Sequence, residues 1–520
     1  MGKFNPKRSQ KPKTSSKKKK EPETFDEFME EAIQFEEQGE RYKTGDRAQR
    51  NYERAADMYG KAFSLNDKDA DCVYNWGRVL FLLVDFLPSH ATPEEKLEKI
   101  DQSIEKFRKA LDLETNKTDA QFNLAQALHQ KSELLQDTTE IDDAYRISAM
   151  SLQEAISIFD NVYNLQEKEY LELNDTFTDK KEEEEEKEEE EEEGKESQIK
   201  EEPLRQEFTT VTKIEPTTPY SLIETLLATV ETMSTMASIL ASFPASMDLF
   251  SRAKAKLALA EKWYTKASST ALEKNNDDDP EEEKRRKNAR IQINLKESAM
   301  YAAMADRSFI ASNTVDSALY EKSIEKLNEI IDNYDSRNVE ALCDRGDIFI
   351  SYSQAIAEVA HKKHLPLVPE KDGKEVWQLY ASATKSFQAA LLIEPKNLRI
   401  LNKMGDLSLF RARLDLPVAE RNRLQLLKNA VFYFKHAVEI DKEVLTSGYL
   451  GWAMSEWALE EWAEIEGKKE DAMKILRVWI RRGGNGALFR SLAEDNESWE
   501  EEFVEFVIEH FFAADDEESE

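Results

Sequence analysis

Small and aromatic residues recur along this chain in one spacing: a small residue, an aromatic four positions on, and a small residue three further. It appears as Ala55, Tyr59, Ala62, as Ser103, Phe107, Ala110 and as Ala260, Tyr264, Ala267. Ala383, Phe387, Ala390 and Ala430, Phe434, Ala437 repeat it, and Ser148, Leu152, Ala155 and Ser323, Leu327, Ile330 are weaker copies. Offsets of four and three put all three residues on one helix face. The small residues let a neighbouring helix approach closely, and the aromatic fills the space between them. In one copy Pro395 follows Ala390 by five residues, where the helix must end.

A second helical pattern follows the better copies after a short turn. It reads Val73-Tyr74-Asn75-Trp76-Gly77 with Leu80, then Gln121-Phe122-Asn123-Leu124-Ala125 with Leu128. Arg345-Gly346 with Phe349, Met404-Gly405, and Leu450-Gly451 with Met454 continue it. Glycine inside a helix costs up to about 1 kcal/mol relative to alanine, so its return at one phase predicts a close helix crossing there.

Together the two helices resemble the tetratricopeptide repeat: a large residue, Leu-Gly and Tyr on helix A, then Ala, Phe or Tyr, Ala and Pro on helix B. Leu-Gly stands intact only at Leu450-Gly451, and Trp76-Gly77 and Met404-Gly405 vary it. About seven units cover most of residues 25–480. The resemblance implies an all-α solenoid of helix-turn-helix repeats whose helices A line a concave, protein-binding face. By the same resemblance Tyr74, Arg78, Phe122, Gln126 and His129 would face that groove in the first units, and Arg399, Asn402 and Asp406 in a later one. The expected organisation is a basic tail at 1–24, repeats at 25–173, an acidic insertion at 174–218, repeats at 219–513 and an acidic tail at 514–520.

Charge adds to this picture. The chain carries −33 overall, with nine Lys or Arg and no acid in its first twenty residues, and eleven Glu with one Lys from Glu182 to Glu193. The two runs nearly cancel, so the repeats themselves are acidic. Such a body repels nucleic acid backbones and attracts basic proteins. The acidic insertion cannot bury apolar surface and reads as a solvated linker or isolated charged helix. Repeats interrupted by an acidic tract resemble, in arrangement, histone-binding tetratricopeptide chaperones. Lys11, Lys13, Lys17, Lys18, Lys19 and Lys20 read as a nuclear import signal. A polar, lysine-rich start is not a secretory signal. The most apolar stretch, Tyr220 to Phe243, holds Glu224 and Glu231 and is expected to pack in the protein, not in a membrane.

The chain lacks a phosphate-binding glycine loop, a GxSxG elbow, HExxH and an EF-hand loop. Its two cysteines, Cys72 and Cys343, have no metal-ligand spacing, and His361 and His364 are separated by two lysines. The carboxylate clamp of heat-shock-binding repeats is broken: Asp119 and Asn123 stand where Lys and Arg should follow Asn75, and Asp344 stands before Arg399 and Lys403 in place of Asn. These readings predict no enzyme, no cofactor and no metal. They predict a scaffold or chaperone-like adaptor, in nucleus or cytoplasm, holding basic clients such as histones or ribosomal proteins. The alternative is an architectural subunit that binds through apolar patches, with Trp452, Trp457 and Trp462 as candidates.

Overall fold

The structure, a computed structural model, describes residues 22–43, 45–87, 91–136, 143–191, 216–273, 279–441, 448–494 and 499–513, with backbone only for 174–191, 270–273 and 494. Among the described residues there are eighteen α-helices and no strand. They divide into two compact units, the first holding the described residues up to Leu87 and Glu94–Ala127, the second the described remainder.

The first unit contains α1 (Phe25–Tyr42), α2 (Asp46–Leu65), α3 (Ala70–Leu83), α4 (Pro93–Leu113) and the start of α5 (Thr118–Gln136). Thr24 begins α1 through a capping box: its hydroxyl accepts from the Glu27 amide and the Glu27 carboxylate accepts from the Thr24 amide. Asp69 caps α3 by accepting from the Cys72 amide at 2.8 Å. Ala55, Tyr59 and Ala62 on α2 and Ser103, Phe107 and Ala110 on α4 are fully buried. A methyl on Gly77 would stand 3.0 Å from the Phe107 ring, and Ser103 Oγ donates to the Gly77 carbonyl at 3.0 Å. The glycine and the serine together bring α3 and α4 into contact.

The second unit takes in the end of α5, α6 (Ala144–Glu191), α7 (Pro219–Ile239), α8 (Phe243–Glu273), α9 (Pro280–Ser312) and α10 (Ser317–Glu329). A short π-helical stretch, Ile330–Tyr334, closes α10. Then come α11 (Val339–Lys362), α12 (Asp372–Ile393), α13 (Leu398–Arg413), α14 (Pro417–Ile440), α15 (Gly448–Glu461), α16 (Lys468–Arg481), α17 (Gly486–Glu494) and α18 (Glu501–Phe511). From α6 to α16 each helix packs on the next, and α7 also meets α9, α9 meets α11 and α13 meets α15. Contact between alternate helices is what stacking of helix pairs produces. Asn338 and Asn397 cap α11 and α13 just as Asp69 caps α3, so the turn before these three helices ends on a side chain able to accept from the third amide of the helix.

The small-aromatic-small triplets lie in the core in all but one case. On α8 Ala260 and Ala267 are buried, but Tyr264 is only half-buried, with the Arg290 guanidinium 4.1 Å from its ring. The same spacing of buried residues occurs earlier on this helix as Ser246, Phe250 and Ala253. α8 is long enough to bury several consecutive turns, so its apolar stripe outlasts a single repeat. The Tyr220 to Phe243 stretch forms α7 and packs inside the unit, with Leu222, Leu226, Val230 and Met233 buried. No helix among the described residues is long and apolar enough to cross a membrane. At the C-terminal end α15 to α18 close the stack with aromatic side chains: Trp457, Trp479, Phe489 and Phe503 are buried together. Trp452 and Trp462 pack partly buried against the same cluster.

Candidate functional site

Within the second unit α7, α9 and α11 enclose an open cleft of about 490 Å³. Ser298 on α9 sets the helix spacing here: its hydroxyl shares a 2.8 Å hydrogen bond with Ser323 on α10, and the Ser323 hydroxyl also reaches the Ser298 carbonyl. Gly346 on α11 admits the Phe387 ring, since a methyl there would lie 2.6 Å from Cζ. With these contacts fixed, Ala299, Ala302, Ala303 and Ile310 of α9 and Ile348 of α11 line the cleft with apolar surface. Asp306, Asp344 and Asp347 add three carboxylates.

The three carboxylates differ in what they touch. Asp306 accepts from the Tyr320 hydroxyl at 2.6 Å, and burial pushes its carboxyl above the usual range. Asp347 is paired with the Lys403 ammonium from α13. Asp344 has no hydrogen bond and no ion pair among the described residues. Burial, followed by the charges of Glu340 and Asp347, raises it to about 6 in spite of Lys403 and Arg399. Arg307 also lines the cleft, but it is buried and hydrogen-bonded elsewhere. It donates to the carbonyls of Leu240 and Ala241 at 2.8 and 3.2 Å and to Ser246 Oγ at 3.2 Å.

The residues expected in the groove occupy varied surroundings. In the first unit Tyr74 is half-buried; its hydroxyl accepts from Asn123 at 2.9 Å and its ring lies 6.1 Å from Phe107. Arg78 is paired with Glu36 on α1, a buried carboxylate that also accepts from the Tyr59 hydroxyl at 2.9 Å. Phe122 and Gln126 are half-buried on α5. In the second unit His129 is turned onto α7, 3.1 Å from Thr235 Oγ1 and 3.4 Å from Thr232 Oγ1. Burial holds its imidazole below its ordinary pKa, against the pull of Glu133 and Glu231. On α13 Arg399 is exposed, while Asn402 and Asp406 are half-buried. The Asn402 side-chain oxygen is buried and accepts no hydrogen bond among the described residues.

Asp306, Asp344 and Asp347 were not among those candidates. Only Asp344 left a trace in the sequence, as the acid at a clamp position where the family pattern has Asn. The lysines at positions 11 to 20 lie outside the described residues, as do the tail 514–520 and the part of the acidic insertion from 192 to 215. Among the described residues no group of three His, Cys, Asp or Glu is placed to hold a metal. Cys72 is buried and Cys343 half-buried, and burial pushes both thiols up, to about 12 and about 11. Neither is poised as a thiolate nucleophile at neutral pH.

Compared with known proteins, residues 46–175 match a family described as plant specific mitochondrial import receptor subunit TOM20. This is a quarter of the chain. A relative in Schizosaccharomyces pombe, UPF0656 protein C926.02, is 23% identical over 438 residues, 82% of this chain and 86% of the relative. Among solved structures, the S. pombe nuclear import adaptor Nro1 aligns over 82% of this chain and 99% of its own, at 11% identity and a TM-score of 0.29. Yeast Tom70 aligns over 94% and 96% at 12% identity and a TM-score of 0.15. The fold class rests on the helix packing described above and not on these superpositions. The chain is an all-α helical repeat protein.

Proposed function

We propose that this protein is a non-catalytic adaptor of the tetratricopeptide type, whose repeats at 25–173 and 219–513 hold a basic segment of another protein. The observation that carries this reading is the cleft between α9 and α11, where three carboxylates line an open, partly apolar surface and only Asp347 is in an ion pair. An acidic cleft on a chain of −33 draws positively charged segments toward it and selects against anionic ones. Basic segments of histones or ribosomal proteins have the complementary chemistry. In this reading the acidic insertion at 174–218 screens the client's charge near the cleft, and the lysines from 11 to 20 direct nuclear import. Tyr74, Arg78, Phe122, Gln126, His129, Arg399, Asn402 and Asp406 remain the proposed contacts on the other helices A.

The test is affinity purification of the full chain, and of a chain lacking residues 176 to 202, at low and high salt. Recovery of basic proteins should fall steeply as salt rises. Equal recovery at both ionic strengths overturns the reading. A second reading, an architectural subunit, is favoured by the exposure of Leu392 (85%) and Phe432 (62%). Under that reading native mass spectrometry finds a stoichiometric, salt-resistant assembly.

A further inference from the structure

We propose that the cleft between α9 and α11 is a pocket for a single lysine side chain of the bound segment, whose ammonium pairs with Asp344. The proposal rests on the reading of an acidic, client-holding cleft and adds which side chain the cleft takes.

Electrostatic attraction to an acidic wall would fit any basic peptide. The arrangement inside the cleft is more selective. Asp306 is engaged by Tyr320 and Asp347 by Lys403, so each already has a donor. Asp344 is left with a half-buried carboxylate that accepts no hydrogen bond, Lys403 and Arg399 acting on it only at a distance. One further cationic group completes the set.

The rest of the lining says how that group must be carried. Ala299, Ala302, Ala303 and Ile348 line the same cleft with methyl groups, a surface suited to an aliphatic stem. A lysine lays four methylenes on such a surface and keeps its charge at the tip. Ser351, two turns from Asp344 on the same face of α11, also lines the cleft, and its hydroxyl has no hydrogen bond among the described residues. A single carboxylate in an open cleft can hold a compact ammonium, whose other two donors stay in reach of solvent. A guanidinium has five donors in a rigid fork and would leave most of them against alanine. Arg307 does not fill this role, because its own donors end on Leu240, Ala241 and Ser246. Acetylating the lysine would remove the charge that Asp344 needs and keep the stem, so affinity for the client would fall with acetylation.

The test uses the full-length protein and fluorescence anisotropy with a labelled peptide of five Gly-Ser-Lys triplets. Three further probes replace every lysine by arginine, acetyl-lysine or norleucine. The lysine probe should bind at low salt, the arginine probe several-fold more weakly, and the other two at least tenfold more weakly. Asp344→Asn should weaken the lysine probe about tenfold. Ala299→Leu, on an exposed position of α9, should do the same by filling the cleft while the helix content and melting temperature stay put. Asp57→Asn removes the same charge from the exposed face of α2 and should leave binding unchanged.

Binding that depends on salt but ignores both Asp344→Asn and Ala299→Leu overturns the pocket and leaves the acidic-cleft reading standing. Absence of binding by any cationic probe at low salt overturns both. Equal affinity for lysine and arginine in the unaltered protein overturns the lysine selectivity.

Discussion

Phe434 lies against Gly405 so closely that a methyl on the glycine would stand 2.5 Å from the ring's Cζ. The same ring meets Gly451 at the same distance, through Cε1. One aromatic on α14 thus packs between the helices before and after it, and each of those helices gives up its side chain at the crossing. This explains the phase of the two sequence patterns: the glycine of helix A is the seat for the aromatic of helix B.

Gly405→Ala should therefore destabilise the second unit by about 1–3 kcal/mol, the usual cost of overpacking a filled core. Phe434→Leu alone should also destabilise it, by opening space beside both glycines. Combined, the two should cost less than their sum, because the smaller leucine makes room for the new methyl. Urea denaturation of the three variants checks this, and strict additivity would contradict the contact.

Glu36 is buried on α1 and held by Tyr59 from α2 and Arg78 from α3. Arg78→Met should cost about 2 kcal/mol, below the range for a fully buried pair because the arginine is partly exposed. Desolvation already raises the Glu36 pKa, and Arg78 is the largest influence lowering it. In Arg78→Met the carboxyl rises further, so the folded state binds the proton more tightly than the unfolded one. The deficit should then shrink as pH falls and Glu36 becomes neutral. Melting temperatures of both proteins from pH 7 to pH 4.5 measure it, and a constant or widening gap would refute the account.

As with Glu36, burial raises the carboxyl of Asp344. Its carboxyl is raised from 3.8 to about 6, so between those values the folded chain holds more proton than the unfolded chain, and stability falls as pH rises through that window. Asp344→Asn removes a charge crowded by Glu340 and Asp347 and should stabilise the protein at pH 7 by about 1 kcal/mol, after allowance for partial exposure. Lysine-probe binding has the opposite dependence, since it needs the carboxylate, and should fade as pH falls through about 6. Calorimetry at pH 5 and pH 7 separates the two effects.

Arg307 ties the turn between α7 and α8 through Leu240, Ala241 and Ser246. Arg307→Met should raise amide hydrogen exchange in residues 240 to 246 well above that of the flanking helices. Lysine should not restore protection, because a point charge cannot reach both carbonyls and the hydroxyl as the planar fork does. Protection unchanged in the methionine variant would show that the turn holds itself.

The repeat architecture was legible in the sequence because its determinants are local. Ala430, Phe434 and Ala437 share a face through helical geometry alone, and Asn397 needs only the third residue of α13 to cap it. Spacing, glycine phase and the helix-ending turns therefore determined an all-α stack of helix pairs before any contact was seen. The tertiary structure decided which polar side chains are free. Arg78 is drawn to Glu36, 42 positions away, and His129 to Thr232, 103 positions away. Asp347 finds Lys403 on a helix two further on, while Asp344, three residues before it, makes no hydrogen bond or ion pair among the described residues and feels Lys403 and Arg399 only at a distance. Such pairings depend on how separate helices meet, and a charge in a sequence looks the same whether or not a distant partner has reached it.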